Sequence, residues 1–237
     1  MTWSIIARDP DTGAFGVAIS TRFFAVGALC PHASGGIGAL STQALVNPTF
    51  GPRGMRLLAQ GRSAGEAVAE LIASDDGRDH RQLHVIDRQG RTAAHTGKAC
   101  IDWCGHVAGE AFSVAGNMLA GARVVEATAQ AYRDNLDQRF AERLIRALEA
   151  GEAQGGDKRG KQSAALIIYS TEEYPELDLR VDDHADPLVE LRRLEAKSCE
   201  RYVHFMRFMA RHDAPSGIFD RTVIEAEIAR ATAKVES

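Results

Sequence analysis

The sequence predicts an α+β protein in which antiparallel sheets are covered by pairs of helices. Two observations predict it. Strand-like segments occur in groups joined by hairpin signals rather than in single alternation with helices, which argues against a doubly wound parallel sheet. Helical patterns then come two at a time, giving the order strands, two helices, strands, two helices, strands and a helical tail. At 237 residues, 45% hydrophobic and 25% charged, the chain is long enough to bury a large core without disulfide or metal staples.

Trp3 to Arg8 is a short apolar run, and Asp9-Pro10-Asp11-Thr12-Gly13 supplies turn chemistry, proline presetting one dihedral and glycine accepting positive φ. Phe15, Val17 and Ile19 alternate with Ala14, Gly16 and Ala18. That is the period of a strand with one bulky and one smooth face, and a smooth face lets a backbone or ligand approach. After a loop around Pro31, Gly36 to Leu45 reads as another strand of small residues, and its Ser41, Thr42 and Gln43 must find partners or point into a cleft. Asn47-Pro48-Thr49-Phe50-Gly51-Pro52-Arg53-Gly54 launches a helix with Pro52 in its first turn, and Ser63 with Glu66 forms a capping box for the next.

Leu83–Ile86 and Thr92–Thr96 form a hairpin around Arg88-Gln89-Gly90, and Ala111–Ala115 is a further strand ending at Gly116-Asn117-Met118. Two helices follow, Arg123–Asp134 and Gln138–Ala150. The second has Asp137 as N-cap, a stripe of Phe140, Leu144, Ala147 and Leu148, and Gly151 as terminator. A glycine-rich loop from Gly155 to Gly160 precedes a buried strand, Ser163–Ser170, with which Leu177–Val181 can pair. From Pro187, capped by Asp186, one long helix is expected to about Arg211, broken by Pro215-Ser216-Gly217 before a last short helix. The expected division is a domain of residues 1–185 and a helical extension of 186–237 that packs on it or on a second subunit; a homodimer is the expected assembly.

A formal net charge of −4 with scattered basic residues argues against a nucleic-acid partner, and no apolar run approaches the ~20 residues that span a bilayer. The start, Met1-Thr2-Trp3-Ser4-Ile5, shows no signal-peptide pattern, so a cytoplasmic protein with reduced Cys30, Cys100, Cys104 and Cys199 is expected. Cys100, Cys104 and His106 lack the second pair that structural zinc requires. The Gly155 loop lacks phosphate-loop spacing and precedes a strand, so no nucleotide cofactor is expected.

Thr2-Trp3-Ser4-Ile5-Ile6-Ala7-Arg8-Asp9-Pro10, the Asn47–Gly54 motif, Gly116-Asn117-Met118-Leu119 and Gly155-Gly156-Asp157-Lys158-Arg159-Gly160-Lys161-Gln162-Ser163-Ala164-Ala165 together resemble a family catalogued as domain of unknown function 1028, over roughly residues 2 to 190. That family is grouped with the N-terminal-nucleophile (Ntn) hydrolases, which include proteasome subunits and some amidases. The resemblance implies a four-layer α-β-β-α sandwich of two stacked antiparallel sheets. It also implies an amidohydrolase that cleaves a small amide with Thr2 as nucleophile. A threonine hydroxyl needs a base, and a free α-amine on the same residue, with a pKa near ~7.7–8.0, is one at neutral pH. Removal of Met1 would expose that amine. By the same resemblance Gly51 and Asn117 serve the oxyanion and Asp157 orients the amine. Ser20 stands about where proteasome subunits carry an aspartate. Arg22 lies in the stretch where they carry a lysine, and this chain has no lysine before Lys98. Gln43, Asn47, Arg53 and Gln162 complete the candidate pocket, Arg53 as a carboxylate clamp.

Two rival readings come from other classes. One is a non-catalytic member of the fold that binds a small molecule or assembles through its tail. The other is a metal-dependent hydrolase, which requires His84 to face His95 across the hairpin, with Asp182, Asp183 and His184 as further ligands. A one-residue slip in register removes that pair.

Overall fold

The structure, a computed structural model, describes residues 2–233. The described residues fall into two compact units that divide between Leu191 and Arg192.

In the first unit β1 (Thr2–Arg8) and β2 (Phe15–Thr21) form a hairpin closed by the expected turn. The Asp9 carboxylate accepts from the Thr12 amide and hydroxyl, and Gly13 takes φ +75°. These two strands are central in a six-stranded antiparallel sheet of order β10-β9-β2-β1-β8-β7, with β7 Trp103–Gly109, β8 Phe112–Leu119, β9 Ser163–Tyr169 and β10 Leu177–Val181. The second sheet, β3-β4-β5-β6, comprises Pro31–Ser34, Gly38–Ala44, Arg81–Asp87 and Thr92–Thr96. β3 departs from the loop expected around Pro31, and β7 has no counterpart among the expected strands. Neither Pro-His-Ala-Ser nor Trp-Cys-Gly-His-Val-Ala-Gly shows a clean two-residue alternation, so the neighbouring strand makes them extended.

Leu40, Leu83 and Val85 face α1 (Phe50–Ala59) and α2 (Ala64–Ala73), burying Phe50, Leu58 and Leu71 against the second sheet. The capping box of α2 is present, with the Ser63 side chain accepting from the Glu66 amide. On the outer face of the first sheet lie α3 (Ala122–Asp134) and α4 (Phe140–Ala153). Their close approach requires glycine at two places: a Cβ on Gly16 would sit 2.5 Å from Leu144, and one on Gly151 would sit 2.4 Å from Thr128 Oγ1 and 2.8 Å from the Trp3 indole nitrogen. Gly151 is therefore a packing glycine within α4 and not its terminator. The N-cap is Arg139 instead of Asp137, because Asn135 to Gln138 close a turn of their own.

Arg143 of α4 is almost fully buried, as is its partner Asp9 at 3.1 Å. Its Nη2 donates to the carbonyls of Leu136 and Gln138, its Nε has no partner among the described residues, and its guanidinium lies over Tyr132 and Phe140. This ties the β1–β2 turn to α4.

α5 (Pro187–Glu200) begins with Asp186 accepting from the Val189 amide. The expected single helix to Arg211 does not form. Arg201 leaves helical geometry (φ −150°, ψ −47°), a one-turn α6 (Tyr202–Phe205) and a 3-10 turn follow, and α7 spans Arg221–Ala233. Within this second unit Arg201 forks onto the Glu225 carboxylate at 2.6 and 2.8 Å. Among the described residues no helix is long and apolar enough to cross a membrane.

Replacing Arg143 with Met should leave the buried Asp9 carboxylate without its counter-charge and cost about 3–5 kcal/mol. Urea unfolding of the wild type and Arg143→Met measures it.

Candidate functional site

Alternation along β1 sends Thr2, Ser4 and Ile6 between the sheets and Trp3, Ile5 and Ala7 toward the helices. The space between the sheets is therefore divided. One end is apolar, filled by Ile6, Phe15, Val17, Ala39, Ile86 and Ile167. The other is polar and equally buried. There Gln43 of β4 donates to Gln82 Oε1 (2.8 Å) and to the Ala115 carbonyl (3.1 Å), and accepts from Ser4 Oγ (2.7 Å). Gln82 of β5 donates to the carbonyls of Gly116 (2.8 Å) and Gly105 (3.1 Å) and accepts from Asn117 Nδ2 (3.0 Å). Asn117 Nδ2 also lies 3.4 Å from the Thr2 carbonyl, and its Oδ1 has no partner among the described residues.

Thr2 opens this polar end toward solvent. It pairs in register with Thr21 on one side and Asn117 on the other, and its Oγ1 is 3.1 Å from Thr21 Oγ1. Thr2 is also on the wall of a cavity of about 280 Å³, with Phe23, Phe24, Val26, Leu29, Cys30, Gln43, Leu45 and Arg159 among its lining. Burial pushes the Cys30 thiol up to about 12, so it stays protonated and is no rival nucleophile. Two alanines on the wall, Ala25 (φ +53°) and Ala44 (φ +69°), and Met118 beside Asn117 (φ +55°) occupy the left-handed region that costs non-glycine residues about 1–3 kcal/mol.

Asp157 is fully buried. It accepts from the amides of Arg22 (2.7 Å) and Arg159 (2.9 Å) and pairs with the Arg159 guanidinium at 3.3 Å. Since Arg22 follows Thr21 directly, the carboxylate fixes the end of the strand beside Thr2.

Thr2, Gln43, Asn117 and Asp157 thus fall in one region with the backbone of Arg22, whose side chain donates to the Arg159 carbonyl. The others lie elsewhere. Ser20 is one residue out of phase: it pairs with Trp3, faces the helix layer, and its hydroxyl has no partner among the described residues. Gly51 lies in the first turn of α1 against the His32 ring, which a Cβ would strike at 2.1 Å, and it does not line the cavity. Asn47 donates to Asp75 and Arg53 to Ser74, and Gln162, although its amide donates to the Thr21 carbonyl at 2.9 Å, turns its side chain to Asp183. The histidine pair needed for a metal fails on register: Leu83 faces His95, and His84 faces Ala94. Among the described residues no group of three or more His, Cys, Asp or Glu is disposed to hold a metal.

Three contributors were not anticipated. Thr21 could have been found by counting two residues on from Ile19 on the inward face. Gln82 adjoins the hairpin run that begins at Leu83, where alternation makes it the inward polar residue. Arg159 stands two residues after Asp157 in a motif already singled out.

Fold and site together define an α+β protein of two antiparallel sheets with a threonine-walled pocket at the polar end of their interface. Residues 2–191 match the family of unknown function DUF1028, and the chain belongs to that family. It is similar to the crystal structure of protein SPO2555 from Silicibacter pomeroyi, of the same family, with 32% identity and a TM-score of 0.85 over 92% of this chain and 99% of that one. A distant likeness is to Anbu, the ancestral beta-subunit from Yersinia bercovieri, at 14% identity and a TM-score of 0.43, over 83% of this chain and 94% of that one. No curated protein matches.

His84 sits in the polar interface, with Nε2 at 2.8 Å from Ser4 Oγ and Nδ1 at 3.2 Å from Ser113 Oγ. Burial, reinforced by the nearby His106, lowers it to about 3, so it is neutral in the folded protein. In the unfolded chain it titrates near ~6.5. Below that value the unfolded state gains a proton that the folded state does not, so stability falls as pH drops from about 6.5 toward 3. Between pH 6.5 and 5 this one group should remove about 2 kcal/mol. Urea titrations at pH 7 and pH 5 should show that loss in the wild type and a flatter dependence in His84→Gln.

Proposed function

We propose that this protein is an amidohydrolase of the Ntn type, on an Ntn-hydrolase-like α-β-β-α sandwich, which cleaves a small amide with Thr2 as its nucleophile. The observation that carries this reading is a threonine at the first position of a central strand, its hydroxyl beside Thr21 and its side chain on the wall of a cavity of about 280 Å³.

The chemistry requires that whatever precedes Thr2 be removed, which frees an α-amine with a pKa near ~7.7–8.0. That amine takes the hydroxyl proton as Oγ1 attacks the amide carbon. A C–O bond forms and the carbonyl electrons move onto oxygen. The resulting ammonium gives its proton to the leaving nitrogen as the C–N bond breaks. Water, activated by the same amine, then cleaves the ester and restores Thr2. Thr21 fixes the rotamer of the attacking hydroxyl. Asn117 Oδ1, buried without a donor, is the acceptor we assign to the freed amine. Ala44, Leu45 and Val46 line the cavity, the Leu45 amide being spent on the His80 carbonyl, whereas Gly51 is not on the wall and is given no oxyanion role. Asp157 is a positioning residue, holding Arg22 and Arg159 around the reacting centre.

N-terminal sequencing of the active protein should begin at Thr2. Thr2→Ala should lower turnover of a panel of small amides by roughly a thousandfold or more with an unchanged melting temperature, while Thr2→Ser keeps part of it. Activity in Thr2→Ala, or in protein with a residue retained before Thr2, would overturn the mechanism.

A further inference from the structure

We propose that the Thr2 pocket selects N-acyl α-amino acids, with an apolar acyl chain against Phe23, Phe24, Leu29 and Leu45 and the substrate carboxylate on Arg159. The proposal rests on the reading of Thr2 as nucleophile and adds the substrate class.

The lining has two chemistries. Phe23, Phe24, Leu29 and Leu45 are large apolar side chains exposed around this one cavity. Exposed apolar groups converging on a concavity mark a site for an apolar ligand. Arg159 is the one charged side chain among the described residues of the lining, so no carboxylate there opposes an anion. Its guanidinium is oriented from behind by the fully buried Asp157, with Nε at 3.5 Å and Nη2 at 3.3 Å from that carboxylate, and the side chain remains 42% exposed. These contacts take up two of the five guanidinium N–H groups, so the planar fork keeps donors for a second carboxylate. Arg22, whose Nη1 donates to the Arg159 carbonyl, adds positive charge at the same rim and disfavours a cationic substrate.

The arrangement also orients the substrate. The deep wall is apolar and buried at Val26 and Cys30, whereas Arg159 lies toward solvent. The acyl group stays on Thr2 through the ester intermediate and takes the deep wall. The amino acid is the leaving group and departs past Arg159. A volume of about 280 Å³, at about 30 Å³ per water-sized unit, holds roughly nine such units, which suits acyl chains of about four to six carbons.

Protein beginning at Thr2 should be assayed with N-hexanoylglycine, its neutral counterpart N-hexanoylglycinamide, and N-hexylsuccinamate, which carries its carboxylate on the acyl side and its apolar chain on the amine. The wild type should show kcat/KM at least tenfold higher for the acid than for the glycinamide. Arg159→Met should bring that ratio to about one and Arg159→Lys should restore part of it. Because the ratio is taken within one protein, partial loss of fold cancels. A ratio near one in the wild type, an unchanged ratio in Arg159→Met, or faster cleavage of N-hexylsuccinamate overturns the proposal. If none of the amides is cleaved, the nucleophile reading fails, and calorimetry on Thr2→Ala decides the pocket by itself. There, at least tenfold tighter binding of N-hexanoylglycine than of the glycinamide supports the carboxylate site, and equal or no binding overturns it.

Discussion

The buried amide cluster of Gln43, Gln82 and Asn117 is the constraint on which the site depends. Its members come from β4, β5 and β8, and their donors and acceptors reach Ser4 and the carbonyls of Gly105, Ala115 and Gly116. An amide buried without partners costs several kcal/mol in an apolar medium, so these contacts are met together or not at all. The apolar end of the same interface, Ile6 against Ile86 and Phe15, tolerates small shifts of one sheet on the other. The polar end does not. A one-residue slip of β5 on β4 would turn Gln82 toward α2 and leave Gln43 and Asn117 without their shared acceptor. The cluster therefore fixes the register of both sheets where β1 begins, and so fixes where Thr2 stands.

This explains what was legible in the sequence and what was not. Ser41, Thr42 and Gln43 on a strand of small residues announced that polar groups would be buried, because apolar surroundings force them into pairs. Where the partners lie depends on pairing between distant strands, which no local pattern encodes. Gln82, Ser113 and Asn117 look like ordinary strand residues until β5 and β8 are stacked. Parity is the other source of error. Ser20 and Thr21 are adjacent small hydroxyl residues, and only the pairing of Thr21 with Thr2 puts one in the pocket and the other under the helices. His84 and His95 fail by the same single step. Local signals were read well where they are self-contained, as in the Asp9–Gly13 turn and the Ser63–Glu66 box. They misled where tertiary packing competes: Gly151 resembles a terminator but is small to admit Trp3, and the break at Arg201 has neither glycine nor proline to announce it.

Demanding groups of the first unit meet different fates. Asp87 accepts from the amides of Ala64, Gln89 and Arg91, and Arg143 has a counter-charge, two carbonyls and two rings, although its Nε is unpartnered among the described residues. Several departures from low local energy lie near Thr2. Ala25, Ala44 and Met118 take left-handed backbone, Asn117 Oδ1 is buried without a donor among the described residues, and Phe23 and Phe24 stand in water. Each is mildly unfavourable, and an ordinary surface could be rid of them by single substitutions.

Phe23, Phe24, Ala25 and Ala44 line one cavity, and Asn117 pairs with Thr2 on its wall. A cavity that binds a ligand presents unmet polar groups and apolar surface before the ligand arrives, since groups already satisfied by the protein have nothing to offer. Rigidity has to come from elsewhere, and here it comes from both sides: the amide cluster holds β1 from between the sheets, and Asp157 holds the end of β2 through the Arg22 amide. Of the groups named, Ala44, Asn117 and Met118 are carried on β4 and β8, and Phe23, Phe24 and Ala25 follow closely on β2. For the proposed nucleophile a hydroxyl held in this way is an advantage, because groups set in place beforehand need no reorganisation when charge develops.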